Sequence, residues 1–171
     1  MSVVVVTAIL ALLASLGFSK YTHGNYTFNY AYPPQYTNAR YWLQQLKGPV
    51  NLTEAELATF DGSHGKPIYV AVNGSVYDVS ASPDLYGPGG SYAFFSGKDG
   101  ARAYITGCFS TDLTHDLRGV PKEEWIELVA WKLFYETHAK YFKVGTVHHP
   151  PIDPRIPPPA PCKTMLAVLE A

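Results

Sequence analysis

The chain has little net charge of either sign and almost no cysteine. Thirteen Lys and Arg stand against 14 Asp and Glu, which leaves a net charge of −1 over 171 residues. With no basic stripe, the composition argues against nucleic acid as a partner. Two cysteines are too few for a disulfide scaffold or a zinc site. Cys108 is either a small buried thiol or, in an oxidising compartment only, the disulfide partner of Cys162.

The usual sequence signs of catalysis are also missing. The chain shows no nucleophile paired with a base, no His, Cys and Glu at metal-ligand spacing, and no phosphate-binding loop. We therefore expect no enzymatic activity. The adjacent His148 and His149 are interpreted as solvated tail residues, and Asp99 and Arg102 as a surface ion pair one helical turn apart.

What the chain does have is tyrosine, proline and enough apolar residues for a core. There are 13 Tyr and 14 Pro, and apolar residues make up 47% of the sequence. The prolines concentrate near the C-terminus, and tyrosines follow the first apolar run. The length suits one domain with extensions rather than two domains.

The N-terminal run 3–18 contains no charged residue. As a helix it would rise about 24 Å, which is short of the ~30 Å hydrocarbon core of a bilayer. We interpret residues 1–19 as a signal anchor or a cleaved signal peptide. Positive charges only after this run favour a cytoplasmic body, whereas sequons at Asn25, Asn51 and Asn73 favour a lumenal or secreted one. With either orientation, the first compartment expected for the protein is the endoplasmic reticulum.

The chain after this run divides into three further segments. Residues 20–49 are rich in aromatic side chains and suit a membrane interface or a loosely packed linker. Residues 50–147 form the predicted domain. Residues 148–171 are rich in proline and are predicted to form an extended tail, disordered or presenting a polyproline ligand.

Local patterns predict several elements of the domain. Thr53 and Glu56 fit a capping box at a helix start. Asn73-Gly74, between two alternating apolar runs, predicts a β-hairpin with a type I′ turn. Pro121 at the first helical position opens a longer helix, and 141–147 reads as a final strand.

That helix is expected to end near Lys140. One face carries residues at i, i+3, i+7 and i+10: Leu128, Trp131, Tyr135 and His138. Short helical pieces are expected around 91–96 and 99–106.

A glycine corner separates the hairpin from these helices, in 86-YGPGGSYAFFSGKDGAR-102. Tyr86 and Tyr92 lie on either side of Gly-Pro-Gly-Gly. A tyrosine at such a corner can pack, donate a hydrogen bond, stack on a flat ligand or bind ferric iron as phenolate. The residues alone leave these roles open.

Three motifs in order carry a resemblance to a known family. They are GKPIYVAVNGSVYDVS (65–80), YGPGGSYAFFSGKDGARAYITG (86–107) and KYFKVGTV (140–147). With them, residues 50–147 resemble the membrane-associated progesterone receptor family, a branch of the cytochrome b5-like haem/steroid-binding domains that includes neudesin and neuferricin. The resemblance implies an α+β fold, a cytochrome b5-like haem/steroid-binding domain behind an N-terminal hydrophobic helix.

The resemblance also implies a ligand set for haem b. Cytochrome b5 itself holds iron between two histidines, the first in a His-Pro-Gly-Gly corner, but this corner has no histidine. Carried over position by position, the axial iron ligand falls on Tyr92, its supporting tyrosine on Tyr86, and a Lys-Tyr pair on Lys140 and Tyr141. Phe94, Phe95, Tyr104 and Ile105 are expected to wall the apolar face.

The function implied by the resemblance is a membrane-anchored haem-binding accessory protein of the endoplasmic reticulum. Its partners would be haem-thiolate monooxygenases of sterol metabolism, and an exposed haem face would permit a haem-mediated homodimer. Two alternatives stay open: a haem-free module that binds sterol or another apolar ligand, and a secreted, neudesin-like signalling protein.

Overall fold

The structure, a computed structural model, describes residues 3–23 and 38–161. The uncharged run forms helix α1 (Val3–His23). It continues past the predicted boundary at residue 19, so its 21 residues rise about 31 Å. Within the described ranges, Val4–Thr22 is the one helix segment long and apolar enough to cross a membrane, judged by length and composition. The sequon at Asn25 lies outside the described residues.

A short amphipathic helix, α2 (Ala39–Lys47), occupies the end of the aromatic-rich segment. The Asn38 side chain caps it by accepting a hydrogen bond from the Arg40 amide at 2.9 Å. The Tyr41 ring meets the Phe142 ring edge-on at 5.6 Å. Packing therefore begins before Val50, which the weak periodicity of this segment did not indicate.

Four strands form one sheet in the order β1-β4-β3-β2. The strands are β1 (Val50–Thr53), β2 (Tyr69–Val72), β3 (Ser75–Asp78) and β4 (Phe142–His148). β1 pairs parallel with β4, and the other two pairings are antiparallel. The predicted final strand is thus confirmed, and it lies in the interior of the sheet.

The predicted hairpin is confirmed. Asn73 and Gly74 adopt φ values of 46° and 79°, as a type I′ turn requires. The Asp99 carboxylate accepts hydrogen bonds from both turn amides, at 3.0 Å and 2.7 Å. A side chain distant in sequence therefore holds the turn.

The predicted capping box is also confirmed. It opens the short helix α3 (Glu54–Leu57), where the Thr53 hydroxyl accepts from the Glu56 amide and the Glu56 carboxylate accepts from the Thr53 amide. The Thr53 amide and the Thr53 hydroxyl both donate to the Glu56 carboxylate, which lowers the pKa of Glu56.

The remaining helices follow the hairpin. They are α4 (Pro83–Tyr86), a 3₁₀ turn (Ala93–Phe95), α5 (Ala101–Thr106), a second 3₁₀ turn (Lys122–Trp125) and α6 (Ile126–Thr137). The prediction that Pro121 is the first helical residue was wrong. Pro121 has an extended ψ of 138°, so it lies outside the helix and caps the 3₁₀ turn. Helix α6 begins five residues later.

The hairpin strands alternate between two apolar clusters, one on each face of the sheet. Val70, Val72 and Tyr77 point into the first cluster with α5 and α6, and Ala71 and Val76 point into the second. The first cluster is unusually rich in tyrosine, and the candidate site is built on it.

Two expectations about charged residues were wrong. Asp99 and Arg102 are buried, at 6% and 3% exposure, and they do not form a surface pair. Arg102 instead pairs with Asp112.

The tail is not fully exposed to solvent as far as residue 161. His149 is partly buried against the domain, and the Pro159 carbonyl accepts a hydrogen bond from Arg102 at 3.3 Å. Cys162, and with it any bridge to Cys108, lies outside the described residues.

Candidate functional site

The glycine corner reverses the chain immediately after α4. The Gly87 amide donates to the Pro83 carbonyl at 2.8 Å, and the Tyr92 amide donates back to the Leu85 carbonyl at 2.8 Å. A Cβ added at Gly90 would clash with the Leu85 carbonyl oxygen. The corner therefore depends on a residue without a side chain. It brings the Tyr86 and Tyr92 rings to 6.0 Å between centroids.

We expect Gly90→Ala to destabilise the protein by about 1–3 kcal/mol, because the backbone must shift to relieve this contact. The midpoint of urea unfolding measures the effect. Gly17→Ala is the control, because a Cβ there meets nothing within 4 Å. An unchanged midpoint in Gly90→Ala would show that the corner is not tightly packed.

An apolar cavity of about 730 Å³ opens beside the corner. Its size is typical of sites for small organic ligands and cofactors. The corner, α5 and α6 supply its walls: Leu85, Tyr86, Tyr92, Phe95, Ala103, Tyr104, Ile105, Gly107, Phe109, Glu127, Ala130, Trp131, Phe134, Tyr135, His138 and Tyr141.

Three of the cavity tyrosines are linked by hydrogen bonds between their hydroxyls. The Tyr135 hydroxyl lies 3.2 Å from that of Tyr86 and 3.0 Å from that of Tyr104. Burial raises the pKa of all three hydroxyls far above the ordinary tyrosine value. These residues are therefore neutral, mutually hydrogen-bonded and poorly suited to become phenolates.

Tyr92 differs from the other cavity tyrosines. It is 43% exposed, and its hydroxyl makes no hydrogen bond within the described part of the chain. Tyr141, by contrast, is buried and donates its hydroxyl to Ser82 at 3.0 Å. Tyr92 is thus the cavity tyrosine whose oxygen is left for a ligand.

The structure brings three of the four predicted site residues together at the cavity. Tyr86, Tyr92 and Tyr141 meet at the cavity, but Lys140 is exposed and is not among the residues that line it. Of the expected wall residues, Phe95, Tyr104 and Ile105 line the cavity. Phe94 does not, and its ring packs edge-on against Tyr92 at 6.1 Å.

The sequence reasoning missed His138 as a cavity residue. Its ring stacks on Tyr141 at 3.9 Å, and its Nδ1 accepts a hydrogen bond from the Lys140 amide at 3.2 Å. Burial lowers the pKa of His138, which favours the neutral ring. With Nδ1 accepting, the proton sits on Nε2, so the ring presents a donor rather than a lone pair. The helical spacing from Leu128 was the available signal, because it places His138 on the same helix face as Trp131 and Tyr135, which also line the cavity.

The buried tyrosines also predict a loss of stability in alkali. Their pKa values are raised in the folded state, so stability is full below the unfolded value of about 10 and is lost as the pH rises above it. Each such tyrosine costs about 1.4 kcal/mol per pH unit. Urea midpoints should fall from about pH 10 upward.

The matched variants for this effect are Tyr135→Phe and Tyr21→Phe. Tyr135→Phe should flatten the fall, because it removes one buried hydroxyl. Tyr21→Phe should not, because Tyr21 is 90% exposed. A midpoint that does not change with pH would contradict the burial of these hydroxyls.

Known proteins share this architecture. Residues 53–148 match the family described as "Cytochrome b5-like Heme/Steroid binding domain". The chain is similar to membrane steroid-binding protein 2 of Arabidopsis thaliana, with 45% identity over 61% of this chain and 46% of that protein. It is 41% identical to membrane steroid-binding protein 1 of Oryza sativa subsp. japonica, over 72% of this chain and 55% of that one.

Neuferricin of Xenopus tropicalis is 40% identical over 55% of this chain and 34% of its own length. A solved Arabidopsis thaliana protein with a cytochrome b5 like fold superposes with a TM-score of 0.51 at 36% identity, covering 58% of this chain and 91% of that one. The chain spans about half the length of the membrane steroid-binding proteins it matches. The family and fold expected from the three motifs are confirmed.

Proposed function

This chain belongs to the family of cytochrome b5-like heme/steroid binding domains, and we propose that its cavity binds a ferric haem b through the phenolate of Tyr92. The observation that carries the proposal is the state of the cavity hydroxyls. Tyr86, Tyr104 and Tyr135 are joined in a buried hydrogen-bonded chain, whereas the Tyr92 oxygen is exposed and unbonded within the described residues.

The donor chemistry of the cavity fits a ferric haem. Iron stabilises the phenolate of a tyrosine that would otherwise ionise only near pH ~10. Burial opposes a negative charge, so the partly exposed Tyr92 suits an anionic donor better than the buried tyrosines do. The apolar walls formed by Phe95, Ile105 and Trp131 suit a flat macrocycle.

The other chain residues would position the group. Tyr86 packs beside the Tyr92 ring and would fix the orientation of that ring, while Tyr141, just before β4, closes the cavity wall. Lys140, exposed beside the cavity residues His138 and Tyr141, has a charge suited to a propionate. His138 offers an N–H donor at the cavity surface. A haem held by one phenolate supplies an open coordination position and favours the ferric state.

The proposed cellular role follows from this site and from α1. Anchored by α1 in the endoplasmic reticulum membrane, the domain would support haem-thiolate monooxygenases of sterol metabolism. Support comes from the span-length helix and from relatives named membrane steroid-binding proteins. An exposed haem face would also allow a haem-mediated homodimer.

The second candidate is a haem-free sterol site in the same cavity. Its support is the predominantly apolar lining and a volume that suits a four-ring sterol as well as a macrocycle. In this case Tyr92 or His138 would supply a hydrogen bond to the sterol hydroxyl rather than a metal ligand.

Titration of the full chain in detergent with ferric haem, and separately with a fluorescent sterol, tests both candidates. Saturable one-to-one haem binding, with the sterol competing for the same site, supports the haem proposal. Saturable sterol binding without haem binding would favour the second candidate. Neither ligand binding would contradict both.

A further inference from the structure

A second cluster of ligand-type side chains lies outside the cavity. Glu54, His115 and His149 bring one carboxylate oxygen and two imidazole nitrogens within 4.8 Å of one another. No short spacing motif indicates it, because Glu54 and His149 are 95 residues apart and the group forms only in the fold. The solvated role expected for His149 is wrong, because this residue is partly buried.

We propose that Glu54, His115 and His149 bind a zinc ion that fastens the proline-rich tail to the domain. The proposal is independent of haem binding, since none of the three residues lines the cavity beside Tyr92.

The three donor atoms lie within 4.8 Å of one another. Glu54 Oε1 lies 3.2 Å from His115 Nδ1 and 2.6 Å from His149 Nδ1. Zinc bonds of about 2.0–2.1 Å at tetrahedral angles separate neighbouring donors by about 3.3 Å, so small side-chain movements would complete the site. The donor set of two imidazoles and one carboxylate is one that zinc uses with a water in the fourth position.

Asp99 contacts the ring nitrogen of His149 that faces away from Glu54. Its Oδ2 lies 2.9 Å from His149 Nε2, and its side chain is 1% exposed. With Nε2–H donating to Asp99, the proton in the 2.6 Å contact between His149 Nδ1 and Glu54 Oε1 is the one that zinc would displace, which frees the Nδ1 lone pair. Metal-binding histidines in proteins are commonly oriented by a carboxylate in this way.

The two imidazole rings lie against each other. The His115 and His149 rings stack at 3.8 Å between centroids, with planes only 12° apart. Two imidazolium rings at this distance would repel, and one ring must turn for both Nδ1 lone pairs to point at one ion. The Glu54 side chain is 48% exposed, which leaves a path for the ion and a water.

The ion would join three separate parts of the chain. Glu54 begins α3, His115 lies in the loop after α5, and His149 begins the tail after β4. Asp99 extends the link to the hairpin, where it accepts from the Asn73 and Gly74 amides. Zinc would therefore hold the tail and the sheet together as one unit.

The test is titration of the full chain, without a polyhistidine tag, with Zn²⁺ by calorimetry and with Co²⁺ by absorption. We expect one ion per chain and the intense visible bands of tetrahedral Co²⁺. Glu54→Gln and His149→Gln should each weaken Zn²⁺ binding at least tenfold. The matched controls Glu123→Gln and His148→Gln change exposed residues of the same type outside the cluster, and these variants should bind as the unchanged protein does.

Titration of the unchanged protein decides the proposal even if a variant fails to fold. Weak octahedral Co²⁺ bands, or no one-to-one Zn²⁺ binding, would overturn the proposal. Equal weakening in His148→Gln and His149→Gln would also overturn it, because binding would then belong to the exposed tail.

Discussion

Tyr92→Phe is expected to abolish measurable haem binding while the domain stays folded. The change removes one oxygen that makes no hydrogen bond within the described residues, and the ring is retained. Removal of a group that merely supports a metal ligand typically costs about 10- to 100-fold in affinity, so loss of the ligand itself should cost at least about 100-fold. Absorption titration with ferric haem measures the loss, and circular dichroism checks the fold.

Two other tyrosines serve as controls for this result. Tyr86→Phe breaks the bond to Tyr135 but leaves the Tyr92 oxygen, so it should weaken haem binding or shift the spectrum less. Tyr69→Phe alters the opposite apolar cluster and should leave binding unchanged. Full loss in Tyr86→Phe with none in Tyr92→Phe would reverse the assigned roles.

Asp112→Ala should be the most destabilising single change outside the apolar core. Arg102 Nε donates to Asp112 Oδ2 at 3.2 Å, and the two side chains are 4% and 1% exposed. The carboxylate also accepts from the Thr106 and Thr111 hydroxyls. Removing it leaves a buried guanidinium without its counter-charge, which typically costs about 3–5 kcal/mol. The free energy of unfolding in urea measures the effect.

The exposed ion pair Asp153–Arg155 provides a matched control. Its N–O distance of 2.6 Å is shorter, but the Arg155 side chain is 89% exposed. Asp153→Ala should therefore cost no more than about 1 kcal/mol. Similar losses in Asp112→Ala and Asp153→Ala would show that burial does not set the strength of the Arg102 pair.

Short-range patterns were the most dependable part of the sequence reasoning. The capping box of Thr53 and Glu56 and the Asn73-Gly74 turn depend on backbone hydrogen bonds within a few residues, so local residue types specify them. The wrong prediction at Pro121 also concerns only a few neighbouring residues. A 3₁₀ turn before α6 delays the helix, and proline fits either position.

Charged and imidazole groups were harder to place, because their partners are distant in sequence. Asp99 was expected at the surface, yet it accepts from Asn73 and from His149, 26 and 50 residues away. Glu54 and His149 meet only after β1 and β4 pair in parallel, which places Thr53 opposite His148. No local pattern carries such contacts.

The candidate haem site lies between these cases. The three motifs indicated the corner and both of its tyrosines, and the expected family and fold are confirmed. The sequence could not show which hydroxyls are used up within the protein. The chain from Tyr86 through Tyr135 to Tyr104 joins α4, α6 and α5, so it exists only once those helices pack. It leaves Tyr92 as the proposed ligand.

The resonance Raman spectrum of the full chain with ferric haem tests that assignment most directly. The proposal predicts high-spin ferric iron with enhanced phenolate ring modes, and their loss in Tyr92→Phe. A low-spin spectrum with two nitrogen ligands, or haem bound without phenolate modes, would contradict iron ligation by Tyr92.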